Sequence, residues 1–117
     1  MVFIEIKKAA SYHNLSEIKH IFRGMNFTSV EITMDYDCSN GLPNEEDKEK
    51  WPFKARLVGT DDIYDVRIYS LSVGYAGTGP HNFAEILDFF KVRYDQDDIF
   101  TKQRMLPDGF IHLKFTR

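Results

Sequence analysis

The stretch from Ser70 to Phe83 brings together three glycines, a proline and the start of an amphipathic pattern. Gly79 followed by Pro80 is typical of the first turn of a helix, because proline lacks an N–H that this turn leaves unused. Beyond it, apolar residues follow the i, i+3, i+4, i+7 spacing of a helix face that packs on a core: Phe83, Ile86, Leu87 and Phe90. Residues 63–93 therefore predict a strand, a tight corner and a helix that ends near Lys91 or Arg93.

Period-two alternation of apolar and polar residues occupies much of the remaining chain and predicts half-buried strands. Alternating runs cover residues 27–36, 51–57 and 63–73. Further strands are predicted over the short apolar run 2–6 and over residues 99–106 and 110–116, which flank the turn residues 107–109. Turn residues at 59–62 predict a hairpin between two of the runs, and residues 107–109 predict a second hairpin. Leu71 and Val73 are out of phase with the earlier residues of their run, which predicts either a bulge or a strand covered on both faces.

A first helix is predicted over residues 14–24. Asn14 and Glu17 have the spacing of a capping box, in which each side chain accepts a backbone N–H of the first turn. Gly24 is a typical residue at a helix end. Between them runs an apolar stripe at helical spacing: Leu15, Ile18, Phe22 and Met25.

These elements give the order β-α-β-β-β-α-β-β. Strands dominate and several are joined by hairpins, so we predict an α+β fold with a mainly antiparallel sheet and two helices on one face. With 117 residues, the chain is expected to form a single domain over residues 1–117.

The net charge of −3 argues against a general nucleic-acid or membrane-surface binder, since both kinds of protein need an excess of positive charge. Locally, residues 35–49 are acidic and residues 99–117 are basic. Each stretch could meet a partner of opposite sign, or could be solvated surface. The predicted outer face of the last hairpin carries Lys102, Arg104, His112 and Lys114. Because that face lacks interleaved stacking aromatics, nucleic acid is not a favoured partner.

Cys38 is the only cysteine, so no internal disulfide can form. With no hydrophobic targeting segment, a reducing cytoplasm is the expected location. No apolar run approaches the about 20 residues that span a bilayer, so no membrane association is expected.

The glycine corner has part of the pattern of a phosphate-binding loop. Gly74 and Gly79 have the required spacing, but Pro80 and His81 stand where such a loop needs lysine and a hydroxyl residue. Asn82 replaces the last glycine of a dinucleotide-binding fingerprint. What remains is a helix start whose N–H groups favour anions. The candidate ligand-binding residues there are Tyr75, Gly77, Thr78, Gly79 and His81; the alternative is that the glycines only turn the chain.

Metal and catalytic patterns are weaker. Residues 35–46 match several ligand positions of a calcium loop, but the period-two run before Asp35 favours a solvated hairpin loop. The four histidines have no ligand spacing with a cysteine or carboxylate, and one cysteine excludes the thiolate zinc patterns. No serine lies in a nucleophile elbow. We therefore expect no metal and no cofactor.

The sequence thus favours a non-enzymatic interaction domain that binds a protein partner, or itself, through a sheet face or edge. Phe89 and Tyr94 lie off the main apolar stripe of the second helix and are candidate interface anchors. The alternative function is a small anionic-ligand or catalytic site at the turn from Gly74 to His81. In that reading a neutral His81 imidazole transfers a proton.

Overall fold

Alternating side chains place one side of a five-stranded sheet against helices and leave the other side in water. The computed structural model describes residues 1–7, 10–37, 51–101 and 110–117. The elements are β1 Val2–Ile6, α1 Ser11–Phe22, β2 Ser29–Asp37, β3 Phe53–Val58, β4 Ile63–Ile68, α2 Thr78–Phe89, α3 Gln96–Phe100 and β5 Phe110–Thr116.

The strand order in the sheet is β1-β4-β3-β2-β5. β2, β3 and β4 form an antiparallel meander, and β5 pairs antiparallel with β2. β1 is the exception, because it pairs parallel with β4. The predicted α+β class with a mainly antiparallel sheet is confirmed, as is the hairpin at 59–62, where the Gly59 N–H donates to the Asp62 carbonyl at 2.8 Å.

The core lies between the sheet and the pair α1 and α2. β2 contributes Val30, Ile32 and Met34 to it, each at most 1 % exposed, in register with alternate residues of β3. The predicted apolar stripe of α2 is confirmed, since Phe83, Ile86, Leu87 and Phe90 are all buried. The helices also touch each other: Asn82 of α2 donates its Nδ2 to the Ser11 hydroxyl of α1 at 2.9 Å. No helix in the described ranges has the length and apolar character to cross a membrane.

The predicted start of α1 is wrong by three residues. Asn14 is not a cap; the cap position is Ala10, and no side chain caps the helix. Asn14 lies within α1, fully buried, and its Nδ2 donates to the Ser70 carbonyl at 2.7 Å. The Asn14 side chain therefore bonds to a distant part of the chain, and not to the backbone of the first helical turn as the capping pattern predicted.

The prediction that a strand continues to Val73 is also wrong. β4 ends at Ile68, and residues 69–77 form neither helix nor strand. Leu71 and Val73 are nevertheless 2 % and 3 % exposed. A connecting segment that inserts both side chains into the core accounts for their phase, without a bulge or a strand covered on both faces.

A third helix lies where the sequence predicted the start of a strand. α3 includes Ile99 and Phe100, the first two residues of the predicted strand, and Ile99 is buried in the core. Asp95 caps it by accepting the Asp97 N–H at 3.0 Å. The order over the described residues is therefore β-α-β-β-β-α-α-β. Residues 102–109, with the predicted hairpin turn, lie outside the described ranges.

Candidate functional site

At the glycine corner, the space beside the glycines is occupied by protein side chains. A Cβ built on Gly77 would overlap the Tyr75 ring, and one built on Gly79 would overlap the Ser72 hydroxyl. The Ser72 and Tyr75 hydroxyls are joined by a hydrogen bond of 2.8 Å. Gly74, with φ of 95°, adopts the left-handed backbone conformation that glycine tolerates best. Close side-chain contacts thus account for Gly77 and Gly79, and the left-handed backbone accounts for Gly74.

The remaining candidates at this corner lie on the first turn of α2. Thr78 and His81 are both exposed. The His81 imidazole lies 4.8 Å from the Phe100 ring, centroid to centroid, and its backbone N–H donates to the Gly77 carbonyl. Ligand binding by these residues stays a prediction, and Tyr75 is the group that an anion approaching the glycines would have to displace.

The open face of the sheet is a charged surface with cross-strand ion pairs. Arg56 on β3 contacts Asp65 on β4 through two hydrogen bonds, of 3.0 and 3.3 Å. The hydrogen bond to Asp65 and its negative charge raise the pKa of Arg56 above its usual value. Lys114 on β5 lies 3.2 Å from the Glu31 carboxylate on β2. Opposite charges therefore meet across neighbouring strands.

The two predicted charged stretches are only partly described. His112 and Lys114 are exposed, as predicted, and the Nδ1 of His112 lies 2.7 Å from Asp35 Oδ1. Lys102 and Arg104 lie outside the described ranges, as does the calcium-loop candidate beyond Asp37. The segment entering that loop is β2, a strand, which agrees with the hairpin alternative. In the described ranges, no three His, Cys, Asp or Glu residues form a group that could hold a metal.

β1 lies at the end of the sheet and pairs, within the described ranges, with β4 alone. The Ile6 carbonyl accepts the Tyr69 N–H at 3.0 Å, which fixes the direction of the strand's backbone groups. Because backbone groups alternate sides along a strand, the even residues face β4. The N–H and C=O groups of Phe3 and Glu5 consequently point away from the sheet.

β1 contains neither the lysine nor the proline that commonly prevents edge strands from pairing with another chain. Phe3 lies on the open face opposite Asp65 and is 66 % exposed, the most exposed large hydrophobic residue in the described ranges. On the helix side, Val2 and Ile4 are only half-buried. Natural edge strands commonly carry lysine, proline or a bulge that prevents pairing. β1 offers an apolar side chain on one face and a partly open apolar row on the other.

The opposite edge of the sheet has different surroundings. The segment from Arg93 to Asp98 lies beside Lys114 and Phe115 of β5, and together they line an open depression of about 650 Å³. The end of β5 therefore has another segment of the chain beside it.

The sequence predicts the strand 2–6 but not its place in the sheet. Hairpins determine only which consecutive strands are neighbours, and β1 pairs with β4 across three intervening elements. No local pattern in the sequence marks β1 as an edge strand; the place of Phe3 on the open face follows from the register with β4. No protein-family model, no curated protein and no solved structure matches this chain.

Proposed function

We propose that this chain is a protein-binding domain that takes an extended segment of a partner protein as an additional strand along β1. The observation that carries the proposal is the position of β1 at the end of the sheet, where it pairs among the described residues with β4 alone, beside the exposed Phe3. Strand addition supplies backbone hydrogen bonds for affinity and side-chain contacts for specificity. The outward N–H and C=O groups of Phe3 are groups that such a segment would pair with.

The chemistry of the edge defines the partner segment. Its residues on the helix side would extend the row of Val2 and Ile4 and should be apolar. On the open face, a segment residue beside Phe3 gains most if it is aromatic or β-branched, and one beside Glu5 if it is basic. We therefore expect a segment that alternates apolar and mixed residues, without proline at the paired positions.

Amide hydrogen exchange provides the direct test. In the free chain the amide of Phe3 should exchange rapidly, while those of Ile4 and Ile6 are slowed by their bonds to β4. Addition of a captured partner, or of more of the same chain, should slow exchange at Phe3. Unchanged exchange at Phe3 in a complex would show that the partner binds elsewhere.

Two variants distinguish strand pairing at the β1 edge from non-specific hydrophobic binding. Phe3→Pro removes an outward N–H together with the exposed ring and leaves the bonds to β4 in place, and Phe3→Ser removes the ring alone. Tyr12→Ser removes another exposed aromatic ring, from α1, and is the matched control. Binding should survive in Tyr12→Ser and be lost in the other two. A strictly monomeric wild type that captures nothing, or capture that is equal in all variants, would contradict the proposal.

A further inference from the structure

A cavity of about 340 Å³ lies where α1 and α2 both end and β5 finishes. We call it the aromatic cavity and define it by Phe22, Phe27, Phe89, Phe90, Lys91 and Arg117, which line it. Its size falls within the range of small-molecule sites. It is separate from the β1 edge, since no β1 residue lines it.

The floor of the aromatic cavity is a packed set of phenylalanine rings. Phe22, Phe27 and Phe90 meet edge to face with centroid separations of 5.6, 5.7 and 5.9 Å. Phe22 and Phe90 are at most 3 % exposed and form the buried base, while Phe27 and Phe89 are half-buried and are the rings that a ligand can touch. Two partly exposed rings favour a ligand with a small flat or branched apolar body.

The charged residues that line the cavity are all cations. Arg117 Nη1 donates to the Phe90 carbonyl at 2.9 Å and Nη2 donates to the Phe27 carbonyl at 2.7 Å, so the guanidinium is held at the cavity. Lys91 follows Phe90 directly. None of the described lining residues is acidic. These carbonyl contacts use two of the five guanidinium N–H donors, and the others stay available for an anion.

The ends of the helices do not reverse this charge. Carbonyls at a helix C-terminus carry partial negative charge, which by itself disfavours an anion. Here the guanidinium lies against the Phe90 carbonyl and offsets it locally. The guanidinium and the Lys91 ammonium supply two full positive charges beside these partial charges, and in the 117-residue chain the α-carboxylate of Arg117 supplies one negative charge.

We propose that the aromatic cavity binds a small organic carboxylate. The aromatic or branched aliphatic body of the ligand lies against the half-buried rings of Phe27 and Phe89, and its carboxylate lies between Lys91 and Arg117. The pairing of an apolar floor with two cations selects against neutral analogues, which cannot engage the cations. The same pairing selects against inorganic anions, because they have no apolar group that contacts the rings.

The test is an NMR titration of the full chain with phenylacetate, benzoate and 3-methylbutanoate, with phenylacetamide and sulfate as comparison probes. Backbone signals of Phe27, Phe90 and Lys91 should shift saturably with at least one acid. The amide should bind at least about tenfold more weakly than phenylacetate, the factor expected for loss of a charge-assisted hydrogen bond. Sulfate should give no saturable shift at these signals.

Lys91→Gln and Arg117→Gln should each weaken binding of the acid about tenfold. Arg93→Gln removes an exposed cation outside the cavity and should leave binding unchanged. Lys91→Gln keeps the proposal testable if loss of the Arg117 contacts impairs folding, because it leaves those contacts in place. The proposal is overturned by equal binding of acid and amide, by wild-type affinity in Lys91→Gln, or by no saturable shift with any acid.

Discussion

Gly79 lies in the first turn of α2, beside the hydrogen bond that joins the hydroxyls of Ser72 and Tyr75. Alanine suits a helix better than glycine by about 0.5–1 kcal/mol, so Gly79→Ala would stabilise an isolated α2. In the folded chain the new methyl would overlap the Ser72 hydroxyl. The close approach of the Ser72 hydroxyl therefore favours glycine at this position, although alanine has the higher helix propensity.

We predict that Gly79→Ala destabilises the wild type by about 1 kcal/mol, because it displaces the Ser72–Tyr75 hydrogen bond. In a Ser72→Ala background the overlapping oxygen is gone, and the same change should be neutral or stabilising. Urea unfolding of the four chains in this double-mutant cycle measures the coupling. An equal effect of Gly79→Ala in both backgrounds would show that close approach to Ser72 is not the reason for the glycine.

At the level of elements, α1 and α2 both end through a residue with a left-handed backbone. Arg23 (φ −60°, ψ 128°) and Gly24 (φ 77°) form a type II turn closed by the Met25 N–H on the Phe22 carbonyl. α2 ends in a Schellman motif, in which the Val92 N–H bonds to the Leu87 carbonyl at 2.9 Å. Its left-handed residue is Lys91, with φ of 59°. Lys91 thus adopts at the end of α2 the left-handed backbone conformation that Gly24 adopts at the end of α1.

This comparison predicts two opposite effects on stability. Gly24→Ala should destabilise the chain by about 1 kcal/mol through the backbone alone, since nothing lies within 4 Å of the added Cβ. Lys91→Gly should stabilise it by about 0.5–1 kcal/mol through relief of the same strain. Thermal and urea unfolding measure both changes. Arg93→Gly, at a residue without a positive φ, is the control and should not stabilise.

Elements with strong local patterns were predictable, and elements decided by distant contacts were not. The stripe from Phe83 to Phe90 predicted α2 because a periodic apolar face needs only a core to pack on. α1 was placed too late because the buried amide of Asn14 bonds to Ser70, far along the chain. α3 has a local helix-start signal in Asp95 and the acidic residues after it. The turn residues 107–109 favoured a hairpin instead, and with it a strand that begins at Ile99.

The candidate sites also divide into those suggested by a local sequence pattern and those formed by distant parts of the chain. The candidates from Tyr75 to His81 were drawn from a local glycine pattern, and the structure gives those glycines a packing reason. The β1 edge and the aromatic cavity depend on strand order and on where three separate segments end. Arg117 illustrates this, because its guanidinium reaches the Phe27 and Phe90 carbonyls from the end of β5. A residue pattern alone does not contain such juxtapositions.

At the scale of the whole molecule, stability should depend on pH through Tyr94, which packs on the core after α2. Burial, reinforced by the negative charge of Asp88 and by its hydrogen bond from the phenol at 3.3 Å, raises the pKa of Tyr94 above its usual value. The folded pKa thus exceeds the unfolded one, so the neutral phenol contributes stability below pH about 10. That contribution is lost as pH rises through the folded pKa.

We predict that Tyr94→Phe lowers the free energy of unfolding by about 0.5 kcal/mol at pH 7, through loss of a partly exposed hydrogen bond. The difference from wild type should shrink as pH rises above about 10, since the wild type alone must then ionise a half-buried phenol beside Asp88. Urea unfolding at a series of pH values from neutral to alkaline measures the difference. Tyr12→Phe, at a ring that is 59 % exposed, is the control for the other tyrosines. A wild-type and Tyr94→Phe pair whose curves stay parallel across the alkaline range would mean that the Tyr94–Asp88 contact does not link ionisation to folding.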